Sequence, residues 1–99
     1  MWSVIYCEDV ENSLPIRKQT RAAHLERIQV LVDQGRILVA GPNPAVDSVD
    51  PGDAGFTGSL IIAEFDSLSD AKQWADSDPY TLAGVFKQVT VKPYIKVLP

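Results

Sequence analysis

Nine Lys or Arg against thirteen Asp or Glu give this 99-residue chain a formal charge of −4, so it has no basic footprint for nucleic acid. Apolar residues make up 45% and charged residues 22%, enough for one ordered domain, residues 1–99, with its own core. One Cys and one His exclude an internal disulfide and leave no ligand set for a zinc site within the chain, so a reducing cytoplasm is the expected setting.

Residues 2–7, WSVIYC, read as a strand rich in β-branched and aromatic residues. The acidic turn of the sequence by residue 8 argues against a signal peptide, and no apolar run is long enough to span a membrane. Residues 8–15 read as a polar connection. A helical pattern over 16–34 stops at Gly35. Residues 36–40 form a second strand. Residues 41–55 hold three Pro, three Gly and three Asp and are expected to be mostly loop. The third strand covers 57–65. Ser67 or Ser69 caps a helix over about 69–75, which the residues 76–79 break. Residues 85–97 form the last strand, and Pro93 marks it as an edge or a bulge.

The order β-α-β-β-α-β predicts an α+β, ferredoxin-like fold, a four-stranded antiparallel sheet with two helices on one face. Both sheet faces are apolar. Trp2, Val4 and Tyr6 alternate with Ile5 and Cys7, and Leu60 and Ile62 with Ile61, Ala63 and Phe65. Two helices cover only one face. A second copy of the chain, docked through a two-fold, is the expected cover for the other; the alternative is that the 41–56 loop folds over it.

The first helix carries the chemistry. At about 100° per residue, Ala22, Leu25, Ile28, Leu31 and Val32 share an arc that reads as the core face, with Arg21 near its middle and Arg17 and His24 to one side. Charges so placed either overhang solvent or line a polar pocket. Arg17 and Arg21 are thus a solvated helix end or an anion clamp. His24, the one histidine, is a structural residue or a general acid/base, and Asp78 in Asp78-Pro79-Tyr80 is a turn former or its partner. Asp47, Asp50 and Asp53 lack calcium-loop spacing, no nucleotide-binding loop occurs, and Cys7 reads as a small buried hydrophobe.

Several stretches together resemble the YciI-like (YCII-related) family of small bacterial proteins: VIYCED around Tyr6, Arg17 and Arg21 leading into the AHL of 23–25, AGPNPAVDS at 40–48, DPGDAGFTGS at 50–59, WADSDPY at 74–80, AGVF at 83–86 and VKPYIKV at 91–97. They run in order through almost the whole chain. The resemblance implies a dimeric α/β barrel built by a homodimer, and a His on the first helix paired with an Asp after the second, which fall on His24 and Asp78. Some relatives act as dehydrochlorinases on chlorinated aromatic compounds. The chain departs from the family in ending Leu98-Pro99 and in carrying Cys at position 7.

The expected activity is proton transfer, of lyase, isomerase or dehydrohalogenase type. His24 acts as general acid/base, Asp78 orients it, Arg17 or Arg21 holds a small anionic substrate, and Tyr80 donates a hydrogen bond. Neither a cofactor nor a metal is announced by the residues. The alternative is a non-catalytic module of the same fold: a small-molecule binder with His24 and the arginines as ligand contacts, or an interaction protein in which His24–Asp78 is a structural ion pair.

Overall fold

The computed structural model describes residues 1–99. Four strands, β1 (Trp2–Asp9), β2 (Ile37–Pro44), β3 (Phe56–Glu64) and β4 (Phe86–Tyr94), form one antiparallel sheet in the order β2-β3-β1-β4. Helices α1 (Leu14–Asp33) and α2 (Leu68–Asp76) and the single-turn α3 (Pro79–Leu82) complete the ferredoxin-like α+β arrangement.

The alternation in β1 sets the two layers. Ser3, Ile5, Cys7 and Asp9 are buried towards the helices, while Trp2, Val4, Tyr6 and Glu8 face the other way. Ile5 and Cys7 join Ile61, Ala63 and Phe65 of the third-strand segment, Ile28 and Leu31 of α1, and Ala71 and Ala75 of α2 in one core. The small alanines let α2 sit close on β1 and β4. Ser67, rather than Ser69, caps α2, its Oγ accepting the Asp70 N–H at 3.0 Å. Arg27 ties the helices together: its guanidinium carbon lies 4.5 Å from the Trp74 ring centroid and Nη1 donates to the Trp74 carbonyl at 2.7 Å.

Several boundaries differ from the sequence expectation, among them the end of β1, which runs on to Asp9. Helix α1 starts at Leu14, because Pro15 fits a first turn, where its missing N–H costs nothing. Strand β2 continues to Pro44, so the loop is only 45–55. As an edge strand β2 tolerates Pro42 and Pro44. Strand β4 stops at Tyr94, with Pro93 on that edge strand as expected.

The arc assigned to the core of α1 is also rotated. The buried residues are Arg17, His24, Ile28 and Leu31, whereas Leu25 and Val32 are 43% and 46% exposed. The polar half of the helix is buried through paired charges, which an apolar count along the helix does not register.

The loop does not fold over the open sheet face. Its 3-10 turn (Gly52–Ala54) leans on the N-terminal end of α1, with Gly55 packed against Leu14. Tyr6 and Val39 therefore stand exposed on this face, beside half-buried Val4 and Leu60 and over a buried Ile62, Tyr6 pairing with Leu60 and Val4 and Val39 both with Ile62.

Gly58, on that same face, is a packing requirement. A Cβ there would fall inside the carbonyl oxygen of Cys7 on the neighbouring strand. Gly58→Ala is expected to cost about 1–3 kcal/mol, read as a lower melting temperature. An unchanged melting temperature would show that β1 and β3 can part without cost.

Candidate functional site

The site grows from the turn that ends α2. Ser77 stops the helix, Pro79 starts α3, and Asp78 between them caps α3, its Oδ1 accepting the Tyr80 N–H at 2.8 Å. That backbone bond aims the carboxylate at α1. His24 Nδ1 lies 2.8 Å from Oδ1 and 3.1 Å from Oδ2 of Asp78, with both residues buried. A carboxylate accepts, so Nδ1 carries the proton in the neutral ring and Nε2 is left with its lone pair. Nε2 has no protein partner, yet it is not among the sealed, unpartnered atoms, and His24 lines a cavity.

The imidazole is held on its face as well as its edge. Tyr80 stacks on it with ring centroids 3.9 Å apart and planes 13° apart, and Phe86 meets Tyr80 edge-on. Arg27 Nη1 stands 4.0 Å from Asp78 Oδ2 on the far side. Burial holds the Tyr80 phenol above its usual range, while Arg17 and Arg21 pull the other way, so the hydroxyl remains a donor at neutral pH.

Arg17 is neither a solvated helix end nor a free clamp. It is 5% exposed, and Nε and Nη2 bind Asp9 at 2.6 and 2.9 Å. Nη2 also donates to the Gly58 carbonyl and to Ser59 Oγ, each at 2.9 Å. Ser13 donates to Asp9 at 2.6 Å instead of capping α1. The Arg17 guanidinium then stands 5.0 Å from the Tyr80 ring centroid, behind the ring that stacks on His24. Arg21, by contrast, is exposed on the cavity rim with no ion pair or hydrogen bond to the protein.

Asp9, Ser13, Ser59 and Arg27 are the members that the sequence reading misses. Asp9 has a signal: it continues the inward series Ser3, Ile5, Cys7, so its charge had to find a buried partner. A register shift between Glu8 and Asp9 sets Phe86 opposite Asp9, beside Arg17 and Tyr80.

The cavity, about 550 Å³, lies between α1 and the β2–β3 side of the sheet. Arg17, Lys18, Arg21, His24, Ser59 and Tyr80 supply its polar lining, and no carboxylate reaches it. Cys7 is beneath the site, buried, with its thiol pushed up to about 12 by burial and by the nearby Asp78 and Asp9 charges. It is a protonated core residue at neutral pH, not a nucleophile. Nowhere do three or more His, Cys, Asp or Glu side chains gather as a metal site would need.

This arrangement can be set beside known proteins. In fold it is similar to the 5-chloro-2-hydroxyhydroquinone dehydrochlorinase TftG of Burkholderia phenoliruptrix, in complex with 2,5-dihydroxybenzoquinone: TM-score 0.84, 32% identity, 96% of this chain and 94% of that one covered. In sequence it is 60% identical over 97 residues to the protein YciI of Escherichia coli, covering 98% of this chain and 99% of that protein. A benzaldehyde-cluster protein of Emericella nidulans, named as a derivative of benzaldehyde biosynthesis cluster protein C, is 30% identical over 90% of this chain and 85% of its own length. The YCII-related domain model matches residues 1–95. With matches that run end to end in both sequence and fold, the chain belongs to the YCII-related family.

Proposed function

We propose that this chain is a small acid–base enzyme of lyase, isomerase or dehydrohalogenase type. The observation that carries the reading is the two-sided state of His24: Nδ1 engaged by Asp78 at 2.8 Å, and Nε2 without a protein partner in a residue that lines the cavity. Nε2 is the base that removes a substrate proton, and later the acid that returns one. Asp78 holds the tautomer and stabilises the imidazolium formed in between. Tyr80 donates from its hydroxyl, and Arg21 holds the substrate's negative charge with Arg17 as a fixed positive charge behind the ring.

The relatives support the chemistry. A dehydrochlorinase must take a proton and let chloride leave, which a neutral imidazole beside cations can assist, and TftG carries that activity in its name. The direct test is a panel of small anionic and phenolic substrates, 5-chloro-2-hydroxyhydroquinone among them, followed by chloride release and by uptake of solvent deuterium. Turnover by the wild type and none by His24→Gln supports the reading. Identical traces for the two proteins across the panel would sink it.

The reading includes a homodimer in a cytoplasmic setting. Its support is the apolar surface at Tyr6, which is 43% exposed, and Val39, 48% exposed, on a face that the chain's own elements leave open. Face-to-face docking of two sheets would make a dimeric α/β barrel. Light scattering should give about twice the 10.8 kDa chain mass, and Tyr6→Lys should halve it. A wild type that runs as a monomer at micromolar concentration would remove the dimer.

A further inference from the structure

The cavity that holds His24 has a cationic end and an apolar end, a difference set chiefly by α1. On α1, Leu14 and then Arg17, Lys18 and Arg21 precede His24, and Leu25, Ile28 and Val32 follow it. On the sheet, the Arg17 end is mixed: Ser59, whose Oγ accepts from Arg17 Nη2 at 2.9 Å, stands there with its register partner Pro42 and with Phe56, whose ring centroid is 5.3 Å from the Arg17 guanidinium. Moving along the pairing, Ala40 faces Ile61 and Ile37 faces Ala63, so beyond Ser59 the sheet wall offers no polar side chain opposite Leu25, Ile28 and Val32.

The charge at the first end is selective. The chain has thirteen acidic residues and nine basic ones, yet three of the nine line this cavity and none of the thirteen does. Asp9 and Asp78 are close by but held behind Arg17 and His24. Lys18 and Arg21 have no acidic partner. The second end is equally marked: Leu25 and Val32 are apolar side chains left 43% and 46% exposed along the groove. From His24 to Val32 the helix rises about 12 Å.

We infer that the ligand of this site is an amphipathic organic anion: a carboxylate or comparable anionic group at the Arg17–Lys18–Arg21 end, an apolar body along Leu25, Ile28 and Val32, and the carbon that exchanges its proton between them at His24 Nε2. The last element rests on the acid–base reading; the two ends do not. Neutral sugars and inorganic anions fit poorly, since each would leave one half of the cavity unmatched.

The test is equilibrium binding of acetate, butanoate, hexanoate and octanoate, with inorganic phosphate as the purely ionic probe, by calorimetry and by the NMR shift of the single imidazole. Affinity should rise about threefold to fourfold for each added methylene that the wall covers, with phosphate no tighter than acetate. Val32→Glu should flatten the series, and Leu25→Gln should reduce its slope. Arg21→Gln should weaken every member by about tenfold and leave the slope intact. All three positions are exposed on α1, so the variants keep the fold, which circular dichroism verifies.

A series without slope, phosphate binding as tightly as octanoate, or a slope untouched by both Val32→Glu and Leu25→Gln would overturn the proposal. Binding is read here without turnover. A chain-length slope in a protein with no His24-dependent reaction supports this ligand class and removes the enzyme reading, and turnover with a flat series does the reverse.

Discussion

Asp9→Ala is expected to destabilise the domain by about 3–5 kcal/mol, the largest loss from any single substitution around the site. The Asp9 side chain is 1% exposed and accepts from Arg17 twice and from Ser13 once. Without it, the buried guanidinium keeps only the Gly58 carbonyl and Ser59 Oγ and has no countercharge. In a domain of this size each kcal/mol moves the melting temperature by roughly 4–8 °C, so a fall of about 15 °C or more is expected. Removing both charges, Asp9→Ala with Arg17→Met, should cost less than the two singles added, because no unpaired ion stays buried. Calorimetric melting of the three variants checks this. A single variant within a couple of degrees of wild type would mean that water reaches Arg17 and the pair is not sealed.

The second large effect is on activity. His24→Gln should lower the rate on any substrate of the site by on the order of 10²–10⁴, the usual contribution of a positioned acid or base. Glutamine offers an amide N–H to Asp78 but no titratable lone pair to the cavity. The same variant should leave the melting temperature near that of wild type or raise it, since polar groups held for chemistry often sit at a cost to stability. A clear drop in melting temperature with no activity lost would instead describe a structural ion pair in an interaction module. Rate and stability therefore have to be measured on the same protein.

How far the sequence reaches is seen best by setting His24 beside Arg17. The β-α-β-β-α-β order follows from the alternation in residues 2–7 and 57–65 and from the capping signal at Ser67, because these are local patterns whose periods the backbone imposes. Given that order, α1 and the turn after α2 lie on the same side of the sheet, so His24 and Asp78 can meet across 54 residues. Arg17 is different. Its partner Asp9 lies at the end of β1, where the sequence reads as a polar connection, and its burial depends on a pairing that no local period contains. The same omission rotates the core arc of α1: Leu25 and Val32 look like core until the paired charges turn Arg17 and His24 inward. Strand β2 hides its last residues for another reason, since Gly41, Pro42 and Pro44 have loop chemistry and become strand only by pairing with β3 along one edge.

The measurement that bears most directly on the site is the tautomer of His24, by long-range ¹H–¹⁵N NMR at alkaline pH, where an imidazole is neutral. One histidine gives one pair of ring nitrogens and no assignment ambiguity. The expected spectrum has the proton on Nδ1, bonded to Asp78, and a bare Nε2 whose shift moves when octanoate is added. A proton on Nε2, or an Nε2 shift indifferent to every anion tried, would contradict a base facing the cavity and with it the proposed chemistry.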